Sequence, residues 1–217
     1  MSTGGGGTYW FETGFAHSGS QCLALRTPAS TSSSLRSEFE LNYLHQWSGI
    51  GDEIYVSVWL YLPSDWDLRR SGYNWYEIIN TFVDWSQSSN GGYPRTCIHI
   101  HKPNGPDGPF NIQVEWANGA GQGDVLGEIQ NFQVPRGEWF NVKYYVYRHV
   151  SNGIIKVWLT TSYYGTDYVL CDVSGIQTML SSSGGNWFTV PAKTYLDGDG
   201  YEHVIYADDI EVWNHIP

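Results

Sequence analysis

The run EIYVSVWLYLP (residues 53–63) decides the fold class. Ile54, Val56, Val58, Leu60 and Leu62 fall on one side of a period-two pattern, and Tyr55, Ser57, Trp59 and Tyr61 on the other. Successive side chains of an extended chain point to opposite faces, so this is the pattern of a strand with one face in an apolar core. Working outward, the same alternation recurs in LRSEFEL (35–41), TCIHIHK (96–102), NIQVEW (111–116), WFNVKYYVY (139–147), IIKVWL (154–159) and HVIYADDIEVW (203–213).

Turn signals separate these runs: PNGPDGP (103–109), NGAGQG (118–123), PRGE (135–138) and SNG (151–153), the last a hairpin signal. Helical patterning is nearly absent, and only DVSGIQTML (172–180) reads as room for a short helical turn. Many short alternating strands predict an all-β fold, a two-sheet antiparallel β-sandwich of jelly-roll type. Residues 9–217 read as one domain. The Gly-rich stretch 1–8 (MSTGGGGT) reads as a flexible tail or linker, a tether to another domain.

Aromatics make up 16% of the 217 residues, with 11 Trp and 16 Tyr, and the formal net charge is −11. That balance argues against nucleic acid as a partner, because a surface that coats a polyanion is basic. No apolar run reaches membrane-spanning length, and the N-terminus lacks the charged and apolar regions of a signal peptide. Cys22, Cys97 and Cys171 cannot all pair within the chain. Their spacing matches no zinc motif, and they read as buried thiols with room for one disulfide.

The polar strand faces carry rings beside hydrogen-bonding groups: Tyr55, Trp59, His99, His101, Gln113, Glu115, Asn141, Lys143, Tyr145 and Trp158, with Arg36, Glu38 and Glu40 on the first of them. A pyranose offers an apolar face for stacking and hydroxyls for planar polar groups, so this composition predicts a polysaccharide or oligosaccharide partner. The competing expectation is that many of these rings form a second hydrophobic layer.

Asp208 shares parity with Val204, Ile210 and Val212, an apolar face where a carboxylate needs a partner. With Glu12 and backbone carbonyls near Ser18–Ser20, it makes an oxygen set suited to Ca²⁺. The alternative is that Asp208 caps a backbone amide.

FETG, HSGSQCLAL and YADDIEVW resemble the first, second and last strands of concanavalin-like carbohydrate-active sandwiches. The resemblance implies a structural Ca²⁺ held by Glu12 and Asp208, with Ser20 and Asp209. HSGSQCLALR, LRSEFEL, DEIYVSVWLYLPSDW, NWYEIINTF, GEWFNVKYYVYR, GIIKVWL and YADDIEVW also occur in the order found in jelly-roll polysaccharide lyases of the heparin-, glucuronan- and alginate-lyase-like group. Such lyases cleave uronic-acid polymers by β-elimination.

Carried over, Arg36 and Glu38 match the Arg-Ser-Glu strand. Where the group carries Gln-x-His this chain has Asn80, Thr81 and Phe82. Asn80 is suited to neutralise a carboxylate, whereas Phe82 is no base, leaving His99 or His101 as a displaced base and Tyr145 to move protons. Of the group's Tyr-x-Lys-x-Gly-x-Tyr segment only Lys193 and Tyr195 remain.

The main expectation is therefore an extracellular carbohydrate-binding domain using Arg36, Glu38, Tyr55, Trp59, His99, His101, Gln113, Glu115, Lys143 and Trp158. The alternative is a lyase with Arg36, Asn80, His99, His101 and Tyr145 as its catalytic set. A further alternative is a glycoside hydrolase built on two of Glu38, Glu77 and Glu115, which must face each other across a cleft.

Overall fold

A computed structural model describes residues 1–41, 52–70, 74–83, 94–180 and 187–217. With strands numbered in chain order, the front sheet runs β1 (Ser2–Gly4), β4 (Leu35–Leu41), β13 (Trp187–Leu196), β6 (Asn74–Val83), β7 (Arg95–Lys102), β8 (Asn111–Ala117) and β9 (Gly123–Ile129). The back sheet runs β12 (Gly165–Ile176), β11 (Gly153–Thr161), β10 (Trp139–Tyr147), β5 (Glu53–Tyr61), β14 (His203–Trp213), β3 (Gln21–Thr27) and β2 (Thr8–Thr13). Neighbouring strands are antiparallel throughout. This is the expected all-β sandwich.

The alternation seen in the sequence is the burial pattern of the fold. Ile54, Val56, Val58 and Leu60 of β5, with Phe140 and Val142 of β10 and Ile155, Val157 and Leu159 of β11, face inward from the back sheet. Leu35, Tyr76, Ile98, Ile100, Ile112 and Val114 meet them from the front sheet. Each large apolar side chain so enclosed contributes about 1.5–3 kcal/mol, which is what holds the two sheets face to face. The three cysteines are buried free thiols.

One expectation changes. Residues 172–180 form no helical turn: β12 runs on to Ile176, because Asp172, Val173 and Ser174 pair with Lys156, Ile155 and Ile154 of β11. Within the Gly-rich start, Ser2–Gly4 pairs with Arg36–Glu38 of β4. Glycine makes this approach feasible: a Cβ at Gly7 would stand 1.9 Å from the Arg36 carbonyl oxygen.

One irregularity positions the site. The pairing of β6 with β7 passes from Glu77↔His99 to Ile79↔Ile98, leaving Ile78 as an extra residue. This bulge puts Glu77 and Asn80 on the same outer face although they are three residues apart.

Candidate active site on the front sheet

The register across the front sheet lays one row of side chains on its outer face: Arg36 beside Tyr195, Tyr195 beside Glu77, Glu77 beside His99 and His99 beside Gln113. A second row sets Asn80 beside Cys97 and Cys97 beside Glu115. Between them opens a pocket lined by Trp75, Glu77, Arg95, Cys97, His99, Glu115 and Tyr195.

Its floor is ionic. The Lys193 ammonium donates to Glu77 Oε1 at 2.7 Å and lies 3.1 Å from Glu38 Oε1, with all three side chains no more than 6% exposed. Burial pushes Lys193 toward its neutral form, but Glu77 and Glu38 outweigh it and hold its pKa above the usual lysine value. Burial raises the Glu38 carboxyl, against the pull of Lys193. Asn80 Nδ2 donates to Glu77 Oε1 at 2.5 Å, while the buried Asn80 Oδ1 has no partner among the described residues. Lys193 Nζ also sits 4.5 Å above the Tyr195 ring, and Trp75 meets that ring edge-on at 5.0 Å.

One wall is a histidine held by its neighbours. His99 Nε2 is 3.2 Å from Glu115 Oε2 and 2.6 Å from the Gln113 side-chain amide. The hydrogen bond from His99 holds Glu115 below the usual carboxylate range against burial, with Arg95 adding to the effect. Glu115, an acceptor, and the Gln113 amide nitrogen, a donor, approach the same ring nitrogen and fix the orientation of the ring; a proton on Nε2 serves Glu115 and one on Nδ1 frees Nε2 to accept from Gln113. His101 lies one step along, its ring 6.1 Å from that of His99 and its Nε2 3.3 Å from Glu128 Oε1. Burial first, then His99, pushes His101 below the usual imidazole value, so it stays neutral.

The residues expected to bind sugar do not form one surface. Arg36, Glu38, Asn80, His99, His101, Gln113 and Glu115 are on the front sheet, whereas Tyr55, Trp59, Lys143, Tyr145 and Trp158 are on the outer face of the back sheet. Tyr145 therefore cannot serve the same subsite as His99. Its hydroxyl donates to Glu53 at 2.6 Å, and burial and Glu53 push its pKa up. Lys143 pairs with Asp167 at 2.6 Å.

Trp59 is stacked under the His17 ring at 3.8 Å, and Phe15 wedges against Tyr61, Trp139 and Tyr206. Much of the back-sheet aromatic set is thus a second packed layer under the β2–β3 loop. In the pocket, Trp75, Arg95 and Tyr195 were missed as site residues. Tyr195 and Lys193 carried a signal as remnants of the lyase segment.

At the joined termini, Asp208 Oδ2 accepts the His17 and Ser18 amides at 2.8 and 3.1 Å, and its Oδ1 accepts the Asp209 amide. Asp209 binds the Ser18 hydroxyl at 2.5 Å and His17 Nδ1 at 2.7 Å. Glu12 accepts from Trp10 Nε1, and the Ser20 carbonyl accepts from the Gly14 amide. Glu12 and Asp208 lie near Cys22, whose thiol is raised to about 11 by burial, then Asp208 and Glu12. Among the described residues no group of three or more His, Cys, Asp or Glu converges as a metal site. As arranged, the oxygens expected to hold Ca²⁺ accept from N–H and O–H donors. They pin a loop, as the amide-cap alternative requires.

The family model described as polysaccharide lyase matches residues 5–211. The chain belongs to the polysaccharide lyase family. Solved structures of similar fold include an endo-β-1,4-glucuronan lyase from the fungus Trichoderma reesei, at 15% identity over 99% of this chain and 90% of that one, with TM-score 0.66. The alginate lyase Aly36B is 10% identical over 88% and 80% of the two chains, with TM-score 0.55. The Emp46p carbohydrate recognition domain is 9% identical over 97% and 89%, with TM-score 0.55. At these identities the likeness is one of fold. A comparison with curated protein sequences finds no match. The strand Leu35–Leu41 meets Lys193 and Tyr195 across one register, Glu38 opposite Lys193 and Arg36 opposite Tyr195.

Proposed function

We propose that this chain is a lyase that cleaves a uronic-acid-containing polysaccharide by β-elimination in the front-sheet pocket. The observation that carries the reading is the meeting of Arg95, His99 and Tyr195 in one pocket, with His99 held by Glu115. The reaction breaks the C5–H and C4–O bonds of a uronate and forms a C4=C5 double bond. One group must accept the C5 proton, another must protonate the leaving oxygen, and a cation or amide must steady the carboxylate as charge builds on it. In this reading Arg95, with the amides of Asn80 and Gln113, steadies the carboxylate. His99 and Tyr195 exchange the protons, and Trp75 stacks on a neighbouring sugar.

The test is the ultraviolet absorbance of the new double bond on incubation with glucuronan, alginate and gellan. A rise that disappears with Tyr195→Phe and His99→Ala supports the reading, and a flat trace on every uronic-acid polymer refutes it.

A binding-only module is the second reading. It is favoured by the engagement of the buried lysine with two carboxylates, which leaves it no charge to offer a ligand. A flat trace with retention on polysaccharide gels supports that reading. Against the hydrolase alternative, Glu38 and Glu77 grip the same ammonium rather than face each other across a cleft, and Glu115, which lines the pocket with Glu77, is engaged by His99.

Action outside the cell, where such polymers are met, belongs to the same proposal. A structural Ca²⁺ at Glu12, Ser20, Asp208 and Asp209 would have to displace the His17 and Ser18 donors, and thermal melts in EDTA against Ca²⁺ read whether it does.

A further inference from the structure

The outer face of the back sheet carries rings that the front-sheet pocket does not use. Across β11, β10, β5 and β14 one row reads Trp158, Lys143, Ser57 and Glu211, and the next reads Lys156, Tyr145, Tyr55 and Trp213. The Tyr55 ring lies 6.2 Å from Trp158 and 6.3 Å from Trp213, so three rings step across the sheet in contact range of one another. Tyr55 is buried among its neighbours, whereas Trp158 and Trp213 are half-buried. On the other side of Ser57 the same face is already occupied by the chain itself, where His17 lies flat on Trp59 at 3.8 Å. A flat ring therefore seats on this surface, and among the described residues no ring of the β2–β3 loop stacks on Trp158 or Trp213.

Beside the rings lie an open donor and an open acceptor. Asn141 Nδ2 donates to Ser57 Oγ and to the Val58 carbonyl, each at 3.0 Å. Both protons of the amide are thus used, while its oxygen Oδ1 is buried without a partner among the described residues. Ser57 Oγ accepts from Asn141, which leaves its own proton to donate. Both side chains are no more than 6% exposed. A sugar hydroxyl, or a water that it orders, donates and accepts at one oxygen and so matches this pair.

Charge selects the kind of sugar. Both lysines of these rows are engaged, Lys143 by Asp167 at 2.6 Å and Lys156 by Asp172 at 3.2 Å. Glu53 accepts from the Tyr145 hydroxyl, and Glu211 is exposed. A uronate laid on these rings would meet carboxylates, with each lysine already paired. We infer that this strip is a second glycan site, separate from the pocket, for an extended neutral polysaccharide of β-1,4-linked type, whose equatorial hydroxyls leave the C–H faces of its sugars free to stack. The inference goes beyond the lyase reading and needs no cleavage step.

Cellohexaose and hydroxyethylcellulose are the probes. Calorimetric titration with the first and affinity electrophoresis in the second should show binding that changes little between about 20 and 200 mM salt, because no ion pair forms. Trp158→Ala and Trp213→Ala should each weaken it by about fivefold to tenfold, and Trp75→Ala in the front pocket should leave it unchanged. Hydroxyl-radical footprinting of the wild-type protein, read by mass spectrometry, needs no variant to fold. Cellohexaose should protect Trp158 and Trp213 and leave Trp75 reactive.

Failure to bind either probe overturns the inference. Protection of Trp75 in place of Trp158 and Trp213 overturns it, as does equal protection of those two by glucuronan. A dimer in light scattering that hides both tryptophans without sugar overturns it too. Protection of Trp158 and Trp213 with no double-bond product on any uronic-acid polymer upholds it and refutes the lyase reading alone.

Discussion

Replacing Lys193 with Met tests the ionic floor of the pocket. The ammonium lies 2.7 Å from Glu77 and 3.1 Å from Glu38, and those carboxylates are 4% and 5% exposed. Methionine keeps the length of the stem but leaves two buried carboxylates without a cation. Breaking a buried ion pair from one side costs about 3–5 kcal/mol, which for a domain of this size lowers Tm by about 6–20 °C.

The sign of the pH dependence follows from the same geometry. Without Lys193, burial raises the Glu38 carboxyl still further above the ordinary glutamate value of 4.5 in the folded state. The native state then binds more protons than the unfolded state, so the variant loses stability as pH rises through that window and recovers it as pH falls toward 4.5. Urea denaturation at pH 5 and pH 8, for wild type and variant, reads both effects. The triple variant with Glu38→Gln and Glu77→Gln should regain much of the loss, because neutral amides replace the stranded charges. A destabilisation below about 1 kcal/mol, equal at the two pH values, would show that the three groups do not act as a buried triad and would refute the reasoning.

His99→Ala, Tyr195→Phe and Arg95→Ala should each lower the rate of double-bond formation by about 10²–10⁴-fold with unchanged circular dichroism. Trp75→Ala should act mainly on KM, raising it by about fivefold to tenfold, since a stacking ring binds ground and transition states alike. Phe15→Ala, on the opposite sheet, should cost about 1–3 kcal/mol by opening the layer of Tyr61, Trp139 and Tyr206, and leave turnover unchanged.

Burial pushes Asp199 up, but bonds from His203 and the Arg69 and Tyr201 amides outweigh it and hold the carboxyl below the aspartate value of 3.8. Its contribution is present above that value and lost as pH falls through the folded pKa. Asp199→Asn should therefore destabilise by about 1–3 kcal/mol near neutrality and flatten the acid limb of the stability curve in pH-dependent melts.

The strand faces were legible because alternation is a local property: each residue of EIYVSVWLYLP points opposite to its neighbour wherever the strand is placed, and Ile54, Val56, Val58 and Leu60 are fully buried as that rule requires. The all-β class, and Arg36, Glu38, His99, Gln113 and Glu115 as outward groups, followed from the same rule. What alternation cannot carry is which sheet a strand joins. Tyr145 and His99 are both outward-facing, yet β10 pairs with β5 in the back sheet and β7 pairs with β6 in the front sheet, and those pairings are long-range.

The site also depends on breaks in the alternation. The extra residue at Ile78 brings Asn80 back to the face of Glu77, and the register of β13 sets Lys193 against Glu38 and Tyr195 against Arg36, from segments more than 150 residues apart. A bulge and a pairing partner are chosen by the sum of packing across the sandwich. The amino-acid sequence by itself therefore determined which side chains face outward, and only the tertiary structure decided which of them meet.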